Sequence, residues 1–368
     1  MLKHRLVFIG TYTEPILFGT GKIFQGKGDG IYVYRFDESS GSMELCNIEP
    51  VGPNPSYLTF DLWHRFLYTV NELKEFEGTP GGAVSAFSVD PSNGKLTLLN
   101  RQSSHGTDPC QLIVDKTGKF VLVANFGSGS VSVFPIQRDG SLGDPTDVVQ
   151  HRGSSADPIR QTGPHAHSIT MDAAGLFAFV PDLGLDKVMV YKFDATRGKL
   201  EPNSEPWVEI PPGSGPRQLV IHPRGKFAYL INELSSTVMA FQYEEEQGIL
   251  RKIQTISTLP GDFKGASACG ELQITPSGKH LYASNRGHDS IVSYAINQTD
   301  GTLAYIGWQS TDGKTPRHFM IDPGNEFLLT ANQDTDNVVT FSLDPETGAL
   351  STAGKSISVP SPVCIKFL

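Results

Sequence analysis

Apolar and polar positions alternate in short runs along the chain, and the clearest example is the segment Gly215–Val238. It contains two apolar runs, Leu219–Ile221 and Phe227–Ile231, separated by residues that include Pro and Gly, which favour a tight turn. Two such runs around a turn predict a β-hairpin. Because a hairpin returns on itself, Arg217 and Glu233 are expected to face each other at its open end.

The same pattern recurs along the chain. An apolar run, a turn, an aromatic-rich run and usually a final Asn are found again at Pro55–Asn71, Pro109–Asn125, Pro164–Asp182, Ala266–Asn285 and Pro316–Asn332. A third alternating run follows each hairpin, at Ala83–Val89, Ser130–Ile136, Val188–Phe193, Thr237–Phe241, Ser290–Ile296 and Asn337–Leu343. A Gly-x-Leu turn then leads into a fourth strand. Repeats of about 50 residues with four short strands each predict a β-propeller.

The two ends of the chain supply one further repeat. Pro362–Phe367 has the pattern of a first strand, and Leu6–Thr11 has that of a second strand. Gly30–Phe36 and Gly41–Leu45 then complete the sheet. We therefore predict an all-β fold, a seven-bladed β-propeller with four-stranded antiparallel blades and a ring closed by strands from both termini. The unbroken repeat predicts a single domain over residues 1–368.

Composition and charge narrow the classes of partner. The chain of 368 residues carries a formal net charge of −9, which argues against a nucleic-acid-binding surface. The segment Met1–Arg5 leads directly into a predicted strand and no apolar run has signal or membrane-spanning length, so we expect a cytoplasmic protein without membrane contact. Widely spaced cysteines without a metal motif are expected to be buried free thiols: Cys46, Cys110, Cys269 and Cys364.

One face of the predicted ring collects the residues suited to chemistry, because the first strands begin and the second strands end there. Arg217, Arg286 and Arg317 fall on this face in three consecutive blades. Each alone is compatible with a surface ion pair, but three guanidinium groups around one channel mouth would repel one another without an anion. They therefore indicate a carboxylate or phosphate ligand, which matches the planar fork of arginine.

Histidines and glutamates accompany these arginines. His165 and His167 lie two residues apart, so both side chains face the channel if the segment is extended; a packing role is an equal alternative for each. Glu233 is expected to form an ion pair with Arg217 or to orient a histidine or arginine. Glu271 takes the place of Arg217 in the next blade and is expected to pair with a neighbouring arginine.

Two recurring or unusual features have competing explanations. The Asn that ends most hairpins recurs too regularly to be a catalytic group, and we assign it mainly a structural role. The long connections Leu73–Gly81, His151–Gly163 and Ser257–Gly265 converge on the functional face. The glycine-rich loop Glu14–Asp29 does so too, and is predicted either to fold over the channel as a lid or to remain a surface loop.

Several short motifs on this face resemble those of the lactonase family of seven-bladed propellers, and the similarity spans the whole chain. They are Gly215-Pro216-Arg217, Asn232-Glu233-Leu234, Ser284-Asn285-Arg286, Thr315-Pro316-Arg317 and His167-Ser168. The resemblance implies a site without cofactor or metal. Its catalytic residues would be His167, Arg217, Glu233 and Arg286, with Arg317 and Gln333 nearby to bind substrate. We expect His165 to bind substrate as well, because its spacing places it beside His167. One departure is Gln218, where phosphogluconolactonases of this family tend to have His.

The leading hypothesis is metal-independent hydrolysis of an anionic sugar lactone, most specifically 6-phosphogluconolactone in the pentose phosphate pathway. His167 would be the general base, and Glu233 would hold it or Arg217 in place. Arg217 and Arg286 would bind the substrate anion and the carbonyl oxygen, and Arg317 would contact the phosphate.

Three alternatives remain from the sequence. The first is a muconate-type lactonizing cyclase or isomerase acting on a dicarboxylate through the same arginines. The second is a calcium-dependent propeller hydrolase that uses Glu72, Asp182, Glu233 and several Asn side chains as oxygen ligands. The third is a non-catalytic scaffold that binds a partner on the functional face.

Overall fold

The computed structural model describes residues 4–368 and contains seven four-stranded antiparallel sheets, the blades of a propeller. Blade 1 is built from both ends of the chain, because His4–Thr11 pairs in antiparallel register with Pro362–Phe367. The predicted fold class and the predicted closure of the ring are therefore confirmed. The predicted run from Met1 into the first strand begins outside the described residues. A single domain over 1–368 also reaches beyond them and stays a prediction.

The strands of the first four blades are given in the order in which they pair. Blade 1 contains Pro362–Phe367, His4–Thr11, Ile31–Asp37 and Met43–Glu49. Blade 2 contains Tyr57–Phe60, Phe66–Asn71, Ala83–Val89 and Leu96–Ser103. Blade 3 contains Pro109–Val114, Phe120–Asn125, Ser130–Pro135 and Asp147–Gln150. Blade 4 contains Thr170–Met171, Phe177–Asp182, Lys187–Asp194 and Lys199–Glu209.

The other three blades repeat this order. Blade 5 contains Pro216–Ile221, Phe227–Asn232, Thr237–Glu244 and Ile249–Ser257. Blade 6 contains Ala268–Ile274, His280–Arg286, Ser290–Ile296 and Leu303–Ser310. Blade 7 contains Pro316–Ile321, Phe327–Asn332, Asn337–Leu343 and Leu350–Ser358. Two small hairpins lie outside the blades, at Ile16–Leu17 with Ile23–Phe24 and at Glu75–Phe76 with Thr79–Pro80.

The hydrophobic core lies between neighbouring blades, and two repeated residues lock them together. In three blades, a buried Tyr of the second strand donates its hydroxyl proton to the Gly carbonyl of the next blade's Gly-x-Leu turn; Tyr68 does so to Gly140 at 3.0 Å. Gly140 itself has a φ of +88°, and a Cβ there would lie 2.3 Å from the ring of Phe66. The Gly of this turn is needed both for its backbone conformation and for the close approach of an aromatic ring.

The recurrent Asn has the structural role that its regular spacing predicted. In four copies its side-chain amide donates a hydrogen bond to the connection that precedes the same hairpin, whereas Asn232 donates to Thr237. Asn71 donates to the carbonyl of Pro53, Asn285 to that of Thr258, and Asn332 to that of Thr311. These bonds satisfy backbone groups that would otherwise be buried without partners.

Two expectations from the sequence are wrong in detail. The cysteines are all free, but Cys46 is exposed rather than buried, because the outermost strand of blade 1 has solvent on one side. In blade 4 the predicted first strand from Pro164 shrinks to Thr170–Met171, preceded by a single bridge between Ala166 and Asp182. The residues described contain no helix long and apolar enough to cross a bilayer.

Candidate active site

A cavity of 730 Å³ opens at the end of the channel where the first strands begin and the second strands end. Its volume lies within the range of about 300–1,000 Å³ that is typical of small-ligand sites. All seven residues that the sequence indicated line it: His165, His167, Arg217, Glu233, Arg286, Arg317 and Gln333. The seven side chains predicted from the sequence therefore share one cavity.

β-Bulges bring three side chains into this cavity. The innermost strands of blades 3, 5 and 7 each carry one extra residue just after their first Pro. The extra residues are Cys110, Arg217 and Arg317. A bulge turns a side chain out of the strand's normal alternation and is common beside functional sites, and Pro is tolerated there because the ladder is already interrupted. The repeated Pro thus marks where a strand turns a side chain toward the axis.

Gly215 explains why Arg217 and Glu233 meet. It has a φ of +64°, and a Cβ at this position would lie 2.5 Å from Leu234. Its carbonyl oxygen accepts a hydrogen bond from the backbone N–H of Glu233 at 2.7 Å. The two motifs that contain these residues are therefore two sides of one hairpin end, and a glycine is required because no side chain fits there.

The carboxylate of Glu233 is the centre of a buried charge cluster. Its Oε2 accepts hydrogen bonds from Arg217 Nη1 at 2.6 Å and forms an ion pair with Arg286 Nη2 at 2.7 Å. Burial opposes ionisation of Glu233, but Arg286, Arg217 and Arg160 together hold the pKa of this carboxyl well below its usual range. Glu233 is thus an ionised group that positions arginines, and it is a poor proton acceptor.

Arg160 is a member of this cluster that the sequence did not single out. Its Nη2 donates a hydrogen bond to Glu233 Oε1 at 2.7 Å, so the second carboxylate oxygen is also occupied. The only sequence feature that pointed to Arg160 was its place in the connection His151–Gly163, which was predicted to converge on the functional face. Three guanidinium groups share one carboxylate, which leaves the cluster positively charged. This excess of positive charge agrees with the expectation that the site binds an anion.

His167 contacts the cluster through one ring nitrogen. Its Nε2 accepts a hydrogen bond from Arg217 Nη1, so the neutral ring carries its proton on Nδ1, which lies 3.8 Å from Cys110 Sγ. Burial and the positive charge of Arg217 lower the pKa of His167 well below 6.5, against the opposing effect of Glu233. His167 is therefore an uncharged imidazole at neutral pH, the form that a general base requires.

Arg317 lies apart from the Glu233 carboxylate. Its guanidinium lies 5.4 Å from the ring centre of Tyr12 and 5.3 Å from that of Phe18, both within cation–π distance. No carboxylate lies within ion-pair distance of it in the described part of the chain. Tyr12 donates its hydroxyl proton to buried Glu72 at 3.0 Å, and burial raises the pKa of Glu72 despite the nearby Arg317. Arg317 is thus a cation held by aromatic faces and available to an anion.

The other two predicted substrate-binding residues line the wall. His165 stacks on Phe126 with ring centres 4.5 Å apart, and its Nδ1 lies 2.9 Å from the carbonyl oxygen of Phe126. Gln333 donates its amide to Asp334 Oδ1 at 2.9 Å, while its own Oε1 is buried and has no donor among residues 4–368. His165 is thus fixed in the cavity wall by Phe126, and Gln333 retains an acceptor for a ligand.

The prediction that Glu271 pairs with a neighbouring arginine is wrong. No arginine pairs with its carboxylate in the region described; Gln218 and Gln273 donate to its Oε1 at 2.9 and 3.2 Å. The first strand of blade 6 shifts register around Glu271 and turns it into a second, inner cavity of 30 Å³ below the main one. Gln218 also lines this inner cavity. Gln218, which departs from the family pattern, thus lies in the inner cavity and not in the main one.

The three carboxylates of the calcium hypothesis have separate partners. Glu72 is bound by Tyr12, Glu233 by arginines, and Asp182 Oδ2 lies 2.6 Å from His151 Nδ1. Asp182 Oδ1 accepts a hydrogen bond from the backbone of His165 at 2.7 Å. Between residues 4 and 368, no group of three or more His, Cys, Asp or Glu side chains is arranged to hold a metal ion.

The glycine-rich loop forms one wall of the main cavity. Its central hairpin, Ile16–Phe24, contributes residues 17–24 to the lining. Phe18 and Phe24 each pack against Tyr12 with ring centres 5.9 Å apart. The loop thus lines the cavity. Whether it folds over the channel mouth as a lid stays a prediction.

Together the fold and the site define a β-propeller with an arginine-rich cavity of small-ligand size at one end of its axis. A family model described as "Lactonase, 7-bladed beta-propeller" matches residues 6–367. The chain belongs to this family.

Relatives along the full length of the chain support the assignment. A protein from Bacillus subtilis (strain 168) named 6-phosphogluconolactonase is 37% identical over 98% of this chain and 97% of its own length. A protein of the same name from Formosa agariphila is 33% identical over 96% of both chains. The solved structure of a periplasmic gluconolactonase from Pseudomonas aeruginosa has a TM-score of 0.91 and 35% identity, and covers 100% of this chain and 99% of its own.

Proposed function

We propose that this protein is a lactone hydrolase that opens a sugar lactone, most favourably 6-phosphogluconolactone to 6-phosphogluconate in the pentose phosphate pathway, without a metal. The observation that carries the proposal is the meeting of a neutral histidine with four arginines and a buried carboxylate in one cavity of suitable size. The names of the relatives agree with it. A cytoplasmic location stays a prediction, because one relative of solved structure is described as periplasmic.

In the proposed reaction, the substrate carbonyl oxygen takes the hydrogen bond that Arg217 Nη1 now gives to His167 Nε2. The released lone pair of Nε2 accepts a proton from water as the water oxygen bonds to the carbonyl carbon. Arg217 stabilises the negative charge that develops on the carbonyl oxygen. The bond to the ring oxygen then breaks, and the imidazolium returns its proton to that oxygen. Glu233 keeps Arg217 in place throughout.

Hydrolysis in the presence of a chelator tests the function directly. With spontaneous ring opening subtracted, we expect the protein to hydrolyse 6-phosphogluconolactone in EDTA at its full rate and to prefer it over unphosphorylated gluconolactone. Equal slow rates on both would indicate a lactonase of another specificity. No rate above background on either would contradict the proposal and favour the dicarboxylate cyclase, which parallel assays on dicarboxylates would detect, or the scaffold.

The pH dependence of kcat/KM tests the role of His167. The neutral ring is the active form, so activity is lost as the pH falls through the pKa of His167. Because burial and Arg217 lower this pKa below 6.5, we expect a plateau around neutral pH and an acid limb only below 6.5. A pH–rate profile between about pH 4.5 and 7.5 measures it. An acid limb centred above 6.5 would contradict the assignment.

Arg317→Met tests whether Arg317 recognises the phosphate. Hydrogen bonds to charged groups contribute about 1.5–3 kcal/mol, so we expect kcat/KM for 6-phosphogluconolactone to fall about 10–100-fold. The value for gluconolactone, which has no phosphate, should change by less than about twofold. Arg138→Met, which alters an exposed arginine in a turn of blade 3, is the control. An equal loss on both substrates would place Arg317 at the reacting group instead.

A further inference from the structure

Unsatisfied donors of two arginines indicate a second anion position in the main cavity. Arg160 uses Nη2 for Glu233, and Arg286 uses Nη2 for Glu233 and for the carbonyl of Cys269. The Nε–H groups of both side chains are buried and have no acceptor within the described residues. Buried charged donors are rarely left without acceptors, so these groups indicate an acceptor from outside the chain.

The connection that carries Arg160 is held firmly in place. Asp157 Oδ1 accepts the backbone N–H of Arg160 at 2.9 Å, and Gln161, which is fully buried, donates its amide to the carbonyl of Leu183 at 2.8 Å. Ser155 donates to Asp186 Oδ2 at 2.6 Å. Arg160 is therefore presented to the cavity by an ordered segment anchored on blade 4, as a binding residue requires.

Arg160 and Arg317 belong to opposite parts of the ring. Arg160 lies in the connection between blades 3 and 4, whereas Arg317 begins the first strand of blade 7. In a ring of seven blades these positions are half a turn apart. The Arg160 side chain reaches Glu233 of blade 5, whereas Arg317 forms no ion pair with Glu233 in the described residues and lies beside the aromatic rings of Tyr12 and Phe18.

We propose that Arg160 and Arg286 form a carboxylate subsite that binds the carboxylate formed from the lactone, while Arg317, beside Tyr12 and Phe18, binds the phosphate. This inference rests on the proposed hydrolysis. When the water oxygen bonds to the carbonyl carbon and the bond to the ring oxygen breaks, a neutral ester becomes a carboxylic acid. This acid releases its remaining proton to solvent and becomes a carboxylate, whose single negative charge is shared by two oxygens. Arginine forks match such a group, so the subsite interacts more strongly as the reaction proceeds.

Arg160→Met is the test, and Arg152→Met is its matched control, because Arg152 is an exposed arginine in the same connection. We expect Arg160→Met to lower kcat/KM about tenfold or more on phosphorylated and unphosphorylated lactone alike. In calorimetry, gluconate and 6-phosphogluconate should both bind at least about tenfold more weakly. Arg152→Met should match the wild type in each measurement.

The outcomes separate this inference from the proposed hydrolysis. A loss confined to the phosphorylated compounds would overturn the carboxylate subsite, and so would unchanged binding of both acids. If the wild type hydrolyses neither lactone, the hydrolysis proposal fails, and the calorimetric comparison alone decides whether Arg160 binds a carboxylate.

If Arg160→Met does not fold, Arg160→Lys replaces it, because lysine keeps a cation beside Glu233 and removes the Nε donor. Wild-type binding and turnover in that variant would overturn the subsite.

Discussion

Replacing His167 by alanine should lower kcat for 6-phosphogluconolactone by about 10²–10⁴-fold, the usual contribution of a general base. The side chain is buried and uncharged, and it contacts Arg217, the residue placed to receive the carbonyl oxygen. Without the imidazole, water must attack without a proton acceptor, because Glu233 is held in its weakly basic ionised form by three arginines. Initial rates with spontaneous opening subtracted would measure the effect.

Two companion variants distinguish catalysis from packing. His167→Gln retains a polar side chain beside Arg217 but lacks a basic nitrogen, so it should be as inactive as the alanine variant. His165→Ala removes a ring that stacks on Phe126, and we expect it to change KM more than kcat. Thermal unfolding of all three shows whether the fold is intact. A His167→Ala protein with full activity would disprove the general-base role.

Glu233→Gln should damage both activity and stability. The change removes the one negative charge shared by Arg160, Arg217 and Arg286 and leaves three buried cations facing one another. Removing one partner of a buried ion pair typically costs about 3–5 kcal/mol, and we expect a loss of unfolding free energy in that range. Because Arg217 is no longer held beside the carbonyl position, kcat/KM should fall about 10²–10³-fold.

Added anion provides a direct check on this explanation. Inorganic phosphate can enter the cavity and replace part of the lost negative charge, so it should raise the unfolding temperature of Glu233→Gln more than that of the wild type. Glu209→Gln is the control, since Glu209 is exposed and its pair with Lys187 at 3.5 Å is a surface contact of little energetic value. Equal responses to phosphate in all three proteins would show that Glu233 does not balance these arginines.

Much of the architecture was predictable because a propeller repeats local rules. Each blade reuses the same alternation, the same Gly-x-Leu turn and the same terminal Asn, so one well-defined copy at Gly215–Val238 identifies the weaker ones. The position of Arg217 before a first strand and of Glu233 after a second strand follows from the hairpin alone. The observed 2.6 Å contact between them confirms that inference.

Local pattern was insufficient where a side chain's partner comes from another blade. Glu271 takes the place of Arg217 in the next blade, as the sequence indicated, but a register shift in blade 6 turned it toward Gln218, and no arginine in the described residues forms an ion pair with it. Cys46 was expected to be buried like the other cysteines, yet it lies on the outermost strand of blade 1, where one side meets solvent. Both errors concern the environment of a side chain, which neighbouring elements determine.

By itself, the sequence determined the seven-bladed fold and the closure of the ring by both ends, since both follow from periodic patterns and strand ends. Its resemblance to the lactonase family then selected seven residues on one face, all of which line the main cavity. Only the tertiary structure decided that Arg160 joins Glu233. The path of its connection depends on distant contacts such as Gln161 with Leu183 and Ser155 with Asp186. Such contacts produce no repeating pattern in the sequence, because they depend on how separate segments come together in the folded protein.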